Sequence, residues 1–272
     1  MSACVWFRTD LRLEDQPALT AARRSGPAFG LFVVSPAQWA SHQDAPIKQD
    51  LWRRALIDLQ PRLAEIGVVL KVLRVDWWQD IPSALVTFCQ QNGVTEIHCN
   101  REQGVNERKR DRACFSALKT HGVEMIGHDG QTLLTPGSLK TGSGGVYRVF
   151  SPFARACRAR LREQPIARVP VPDPMRVPAD WQSDSIEALW PEALPSLAKT
   201  WPVDQTSIKQ RLSDFLNTRI EAYETARNFP GQDGTSALSP YLTAGLISPA
   251  QCLEAAMVRN HGELETGQEG IR

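Results

Sequence analysis

The sequence predicts an α/β protein: a doubly wound parallel sheet of five strands, then a connector, then a run of helices. Two observations predict the sheet. Short apolar runs at 4–7, 29–34, 68–72, 96–99 and 123–126 are bounded by turn residues, as buried parallel strands are. Helical patterns at 15–24, 48–66, 79–92 and 105–121 separate them, and such alternation folds as a parallel sheet covered on both faces. A third observation marks the change beyond it. From residue 203 onward, Ile208, Leu212, Phe215, Leu216 and Ile220 recur at helical spacing and give one apolar face up to Tyr223.

The 272 residues suffice for one large or two ordinary domains. No apolar run is long enough to span a bilayer, so no membrane partner is expected. The opening residues enter a strand without a secretory apolar region, which places the chain in the cytoplasm. A net charge of +1 means that any nucleic-acid surface is a local patch rather than a global field. The six cysteines are scattered without a CxxC pair and read as reduced, mostly buried thiols. Cys99 beside His98 has no second ligand pair at metal-site spacing, so no metal is expected.

Taken in order, the first strand runs into Arg8-Thr9-Asp10-Leu11-Arg12 with no G-x-G-x-x-G fingerprint. Arg8, Asp10 and Arg12 read either as a polar lip at the strand end or as a solvated loop with internal salt bridges. Loops at 37–42 and 100–108 follow the second and fourth strands, on the edge where ligands bind in doubly wound sheets. There, Asn106 can donate and accept, and Glu107 can accept two hydrogens from an aminopyrimidine edge. The same pair also reads as a helix cap with an acidic first turn.

Ser151-Pro152 starts a helix by cap logic, with Phe150 and Phe153 expected in a domain-interface core. Arg155, Arg158, Arg160 and Arg162 make the rest of that helix basic, as solvated faces are. Eight of the nineteen prolines lie between Pro165 and Pro202, among Trp181, Trp190 and Trp201. Such density excludes regular helix or sheet, while the tryptophans argue for an ordered strap pinned over the α/β domain.

In Gly234-Thr235-Ser236-Ala237-Leu238-Ser239-Pro240, Ser239 is a good N-cap and Pro240 a good first helical residue. The turn reads as an ordinary capped helix or as a cradle for a phosphate, its hydroxyls beside free N–H groups. Tyr223 and Arg227 lie one turn apart. Ser248-Pro249 opens a last amphipathic helix to Arg259, before a polar tail at 261–272.

The stretch 223–248, YETARNFPGQDGTSALSPYLTAGLIS, resembles the start of the flavin-binding helical domain of the photolyase/cryptochrome family. The opening VWFRTDLR resembles that family's first strand and loop, and 141–153 resembles its Y-x-V-F-T-P-F segment. V-N-E-R-x-R-D at 105–111 resembles the antenna segment of folate-using photolyases, and Q-W-A-x-H at 38–42 its partner loop. The likeness falls closest to the class I, folate-type enzymes.

The resemblance implies an antenna-binding α/β domain over 1–130, extending to about 163 with its closing helix. A Pro-rich connector at 164–202 follows, then the first helices of an all-α FAD-binding domain at 203–272, within which the sequence ends. It implies FAD phosphates held by Tyr223, Thr235, Ser236, Ala237, Leu238 and Ser239. It also implies an antenna, 5,10-methenyltetrahydrofolate or alternatively a deazaflavin, contacted by Asn106, Glu107 and His42. Arg227 would face damaged DNA.

The implied activity is light-dependent repair of cyclobutane pyrimidine dimers by an electron from reduced FAD, in a monomeric deoxyribodipyrimidine photo-lyase. Alternatives are a cryptochrome-type blue-light sensor and a non-catalytic antenna- or nucleotide-binding module. Because the chemistry belongs to the cofactor, no acid–base or nucleophilic catalytic residue is implied. Tight FAD retention by these residues alone is not expected, since phosphate contacts leave most of the cofactor unburied.

Overall fold

The structure, a computed structural model, describes residues 2–264; the end of the polar tail lies outside them. The described chain divides into two compact units. The first comprises the residues up to Gln131 together with Val169–Asp204 and Ala244–Leu246. The second comprises Thr132–Arg168, Gln205–Thr243 and the residues from Ile247.

In the first unit β1 (Ser2–Phe7), α1 (Pro17–Ala22), β2 (Ala28–Val34), α2 (Pro36–Ser41), α3 (Pro46–Glu65) and β3 (Val68–Arg74) come first. They are followed by α4 (Ile81–Asn92), β4 (Val94–Asn100), α5 (Val105–Thr120) and β5 (Glu124–His128). All five strands are parallel, in the order β3-β2-β1-β4-β5. The predicted sheet is present, each strand within a few residues of its apolar run.

Every residue of β2 is buried, because helices cover both faces and leave no polar side. Trp6, Phe29, Leu31 and Ile97 turn to one face, where they meet Leu85, Phe88, Cys114 and Leu118 of α4 and α5. The thiols of Cys4, Cys89, Cys99 and Cys114 are buried, and burial raises each pKa, that of Cys89 to about 12. They are packing groups rather than nucleophiles.

One predicted loop is a helix. Residues 37–41 form most of α2, with His42 at its C-cap, and Pro36 opens its first turn. The fixed φ of proline favours that start, and Trp39, 5% exposed, holds the helix against the core.

The proline-rich segment is ordered over this unit, with only a short helix, α7 (Ile186–Leu189). Trp181 stacks on Phe29 at 3.9 Å between ring centres, and Trp190, 1% exposed, packs against Phe32 and Trp39. The strap also closes the free edge of β3. The Leu70 N–H donates to Ser183 Oγ, the Val72 N–H to Asp184 Oδ2, and the Asp184 N–H to the Leu70 carbonyl. A bare parallel edge would otherwise expose these groups for pairing with another chain.

The second unit holds α6 (Phe150–Glu163), α8 (Gln205–Thr218), α9 (Tyr223–Ala226), α10 (Ser239–Ala244, of which Ala244 belongs to the first unit) and α11 (Pro249–Arg259). Ile208, Leu212, Phe215 and Leu216 of α8 are buried as the period predicts. Ser248 caps α11 in a full capping box with Gln251. Three expectations fail here. The Ser151-Pro152 start is displaced, because α6 begins at Phe150 with Val149 in the cap position. Phe150 and Phe153 are 77% and 40% exposed rather than core, since α6 buries no residue. At α10 the Leu242 N–H bonds the Leu238 carbonyl, so Leu238 caps it and Ser239 is its first helical residue.

Candidate functional site

The strand order reverses direction on either side of β1, so the crevice outside β1 and β4 is the place where a doubly wound sheet binds ligands. Here that crevice is occupied by side chains. Asp10, Arg12, Gln16 and Asn100 are 2% exposed or less, and Arg8, Glu102 and Arg110 no more than 9%. Arg8 reaches Asp111 at 2.7 Å and Glu102 at 3.5 Å, and its Nη2 donates to the Asn100 carbonyl. Asn100 Nδ2 donates to Asp10 Oδ2 at 2.7 Å and to Gln16 Oε1. Arg110 meets Glu102 at 2.7 Å and lies between the rings of Trp6 and Trp78, 4.9 and 4.8 Å from their centres. The solvated-loop reading of Arg8, Asp10 and Arg12 is therefore wrong: their charges are taken from water, and each must be paired to remain there.

The electrostatics follow from that pairing. Burial alone would raise the Glu102 carboxyl, but Arg8 and Arg110 hold it below the ordinary carboxylate range. Burial would equally lower Arg8; Glu102, Asp111 and their neighbours more than reverse it.

Beside the network, at the carboxyl ends of β1, β2 and β4, lies a cavity of about 200 Å³. The strand ends contribute Trp6 to Thr9, Phe32, Val33 and Ser35; α2 and the turn after it contribute Trp39, His42 and Asp44; α3 contributes Lys48 and Trp52. Trp78, Ile81, Glu102, Glu107 and Arg110 complete the lining. The lining combines aromatic faces (Trp6, Phe32, Trp39, Trp52, Trp78) with charged and polar groups, the two elements by which a pocket stacks and orients a planar small molecule.

His42 and Glu107, nominated from separate loops, thus line one cavity. Asn106 is exposed and does not line it. It is the second residue of α5, with Gly104 in the cap position and Glu107 in the acidic first turn, which is the capped-helix geometry. His42 hydrogen-bonds Gln38 at 3.0 Å and meets the edge of Trp78. Sequence reasoning missed Ser35, Lys48 and Trp52. Lys48 and Trp52 stand four apart on α3 with the ammonium 4.7 Å from the ring centre, a spacing that was readable.

In the second unit the Gly234–Ser239 turn runs against the end of α9: a Cβ on Gly234 would lie 2.6 Å from the Ala226 Cβ and 2.8 Å from its carbonyl. Thr235 and Ser239 are exposed, Ser236 and Ala237 half-buried, and Leu238 is 4% exposed. Ala237 takes a left-handed φ of 50°, a conformation that costs a non-glycine residue about 1 kcal/mol. Exposed hydroxyls on a tightly held turn can receive a phosphate. Tyr223 packs edge-on against Phe215, with the exposed Arg227 guanidinium over its ring at 5.4 Å.

A second titrating feature lies at the other sheet edge. His98 Nδ1 and His128 Nε2 are 3.0 Å apart with their rings stacked. Burial, then His98, lowers His128 to about 4, and burial also lowers His98. Both are held neutral when folded, so their contribution is complete above about pH 6.5, the unfolded value, and is lost as pH falls toward 4. We expect the urea midpoint to fall between pH 7 and 5, and His128→Asn to flatten that decline.

The fold and cavity define the class: a doubly wound α/β unit with an aromatic-lined cavity at its strand ends, in a chain that also carries a helical unit with a hydroxyl-lined turn. The chain belongs to the DNA photolyase family, whose model matches residues 3–174. It is 36% identical over 97% of its length to the deoxyribodipyrimidine photo-lyase of Vibrio cholerae serotype O1, and 36% identical over 98% to that of Escherichia coli (strain K12). It spans only about half of these relatives, 57% and 56% of their lengths. A bacterial class III photolyase from Agrobacterium tumefaciens superposes with a TM-score of 0.77 at 30% identity, over 95% of this chain and 54% of that one. A Synechocystis sp. PCC6803 cryptochrome shares the fold, with a TM-score of 0.75 at 21% identity, over 97% of this chain and 57% of that one. Among the described residues no helix is long and apolar enough to cross a membrane.

Proposed function

We propose that this chain supplies the antenna half and the flavin-phosphate turn of a light-dependent photolyase that repairs pyrimidine dimers in DNA. The observation that carries the reading is the aromatic cavity at the strand ends, with Glu107 and His42 in its wall, in a chain 36% identical to named photo-lyases. Bound 5,10-methenyltetrahydrofolate would supply near-ultraviolet or blue absorption, and reduced FAD would supply the electron that splits the dimer.

The protein's part is placement. Glu107 accepts N–H groups from the edge of the antenna ring, His42 closes its outer side, and Trp39, Trp52 and Trp78 give it flat apolar walls. Thr235, Ser236 and Ser239 hydroxyls and the Ala237–Leu238 backbone bind the flavin phosphates, with Tyr223 beside them. Arg227 meets the DNA backbone, where each phosphate contact adds salt-dependent, sequence-independent affinity. The folate is favoured over a deazaflavin by Glu107, a carboxylate suited to an aminopyrimidine edge. Asn106 turns outward, so its contribution is to the helix start.

The absorption spectrum of the purified chain tests this directly. A near-ultraviolet pigment band is expected, and Glu107→Gln should weaken 5,10-methenyltetrahydrofolate binding about tenfold, the size of one charge-assisted hydrogen bond. Failure to take up either folate or deazaflavin would remove the antenna reading. Repair of a thymine-dimer oligonucleotide under light, absent in the dark, tests the catalytic part.

A further inference from the structure

The outward face of α5 carries positive charge that the rest of the first unit leaves uncompensated. Arg108, Arg112, Phe115 and Lys119 recur at i, i+4, i+7 and i+11 and so form one stripe along the helix, with Lys109 beside it. All five are exposed. Phe115 is 48% exposed, and the Lys119 ammonium lies 6.0 Å from its ring centre. The opposite face of α5 packs into the core through Cys114 and Leu118.

The basic residues of α3 are treated differently. Lys48 pairs with Asp44, Arg54 with Asp50 and Arg62 with Asp58, while Arg53 donates to the Trp190 and Glu192 carbonyls. Among the described residues Arg108, Lys109, Arg112 and Lys119 have no ion pair and no side-chain hydrogen bond. The acids of α5 are engaged elsewhere: Asp111 meets Arg8 and Arg110, and Glu107 lines the cavity. The neighbouring helix α4 has no charged residue. Alternation along β4 and β5 sends Glu96 and Glu124 to the sheet face away from Ile97, Cys99 and α5. In a chain of net charge +1, the excess is therefore local. Like charges four residues apart weaken a helix, and an anion laid along the stripe would relieve that repulsion.

The length of the stripe indicates which anion. From Arg108 to Lys119 it runs about 16 Å at 1.5 Å per residue, about five steps of a DNA strand at 3.4 Å each. A single phosphate would meet one or two of these charges, whereas a nucleic-acid backbone meets them all. A membrane surface would require an apolar stripe to bury. The large apolar side chains exposed on α5 are Val105 and Phe115, ten residues apart.

We propose that α5 is a sequence-independent contact for the DNA backbone, with Arg108, Lys109, Arg112 and Lys119 neutralising phosphates. The choice of DNA as the polyanion rests on the repair reading above. The contact lies in the first unit and adds to whatever Arg227 supplies from the second. Phosphates carry no sequence information, so α5 serves undamaged and damaged duplex alike.

Fluorescence anisotropy of the full chain with a labelled, undamaged duplex in the dark tests this, at salt from about 50 to 200 mM. The triple variant Arg108→Ala/Arg112→Ala/Lys119→Ala should bind about tenfold more weakly at the lower salt. Its slope of log affinity against log salt should flatten by about 0.9 for each residue removed. Arg62→Ala, which removes a paired cation from α3, should change neither, and Arg112→Lys should keep the wild-type slope. Equal affinity and slope in the wild type and the triple variant overturn the proposal, as does a wild-type chain that does not bind undamaged duplex. Phosphatidylserine vesicles and polyglutamate are the competing probes. If the triple variant loses binding to either while its DNA affinity is unchanged, the stripe belongs to a membrane or an acidic protein, and the proposal falls. The repair reading is decided separately, by dimer splitting under light. If the triple variant does not fold, Arg112→Ala decides alone, and an unchanged slope counts against the proposal.

Discussion

Gly245→Ala is expected to destabilise the first unit by on the order of 4 kcal/mol, a size few single substitutions reach. Gly245 has φ +69°, and a Cβ there would stand 2.2 Å from the Thr9 carbonyl oxygen and 2.3 Å from the Asp10 Cα. Both obstacles are backbone, so no side chain can move aside. The segment is also held closely. The Leu11 N–H donates to the Ala244 carbonyl at 3.2 Å, and Arg12 Nη1 donates to the Gly245 carbonyl at 3.2 Å. An alanine therefore meets an unfavourable φ and a collision together. Urea denaturation measures the loss; a variant whose midpoint matches the wild type would show that this close approach is not rigid.

Glu102→Ala is the second large effect, on the order of 3 kcal/mol, because it leaves Arg8 and Arg110 buried with a single shared carboxylate, Asp111. The same residue sets an acid limit. Its folded pKa lies below the ordinary carboxylate value, so its stabilisation is present above about pH 4.5 and is lost as pH falls through the folded value. Denaturation of wild type and Glu102→Gln at pH 7 and pH 4 separates the two contributions. The variant should start less stable and lose less on acidification. Equal losses in both would assign the acid sensitivity to other groups.

Legibility differs between the two halves of the candidate site. Glu107 and His42 could be nominated from local motifs, since each sits in a short pattern beside a strand end. Ser35 carries no such motif, and although the i,i+4 spacing of Lys48 and Trp52 is readable, the place of all three in the cavity becomes visible only when β2, α2 and α3 converge. Asn106 and Glu107 are adjacent in sequence, yet helical rotation turns one outward and the other into the cavity wall. Ser239 shows the limit at single-residue scale: cap chemistry located the helix start, while backbone hydrogen bonding moved it by one residue.

By itself the sequence determined the alternation of five buried strands with helices, the apolar face of α8, the capped start of α11 and the family motifs. Each of these is written in local spacing, and local spacing survives without a partner. The tertiary structure alone decided that Arg8, Asp10 and Arg12 are buried rather than solvated, that Phe150 and Phe153 are exposed rather than core, and that the cavity lies beside the switch point instead of in it. Those outcomes depend on which distant groups meet, Arg8 with Asp111 or Asn100 with Gln16, and no pattern along the chain records the desolvation that such meetings impose.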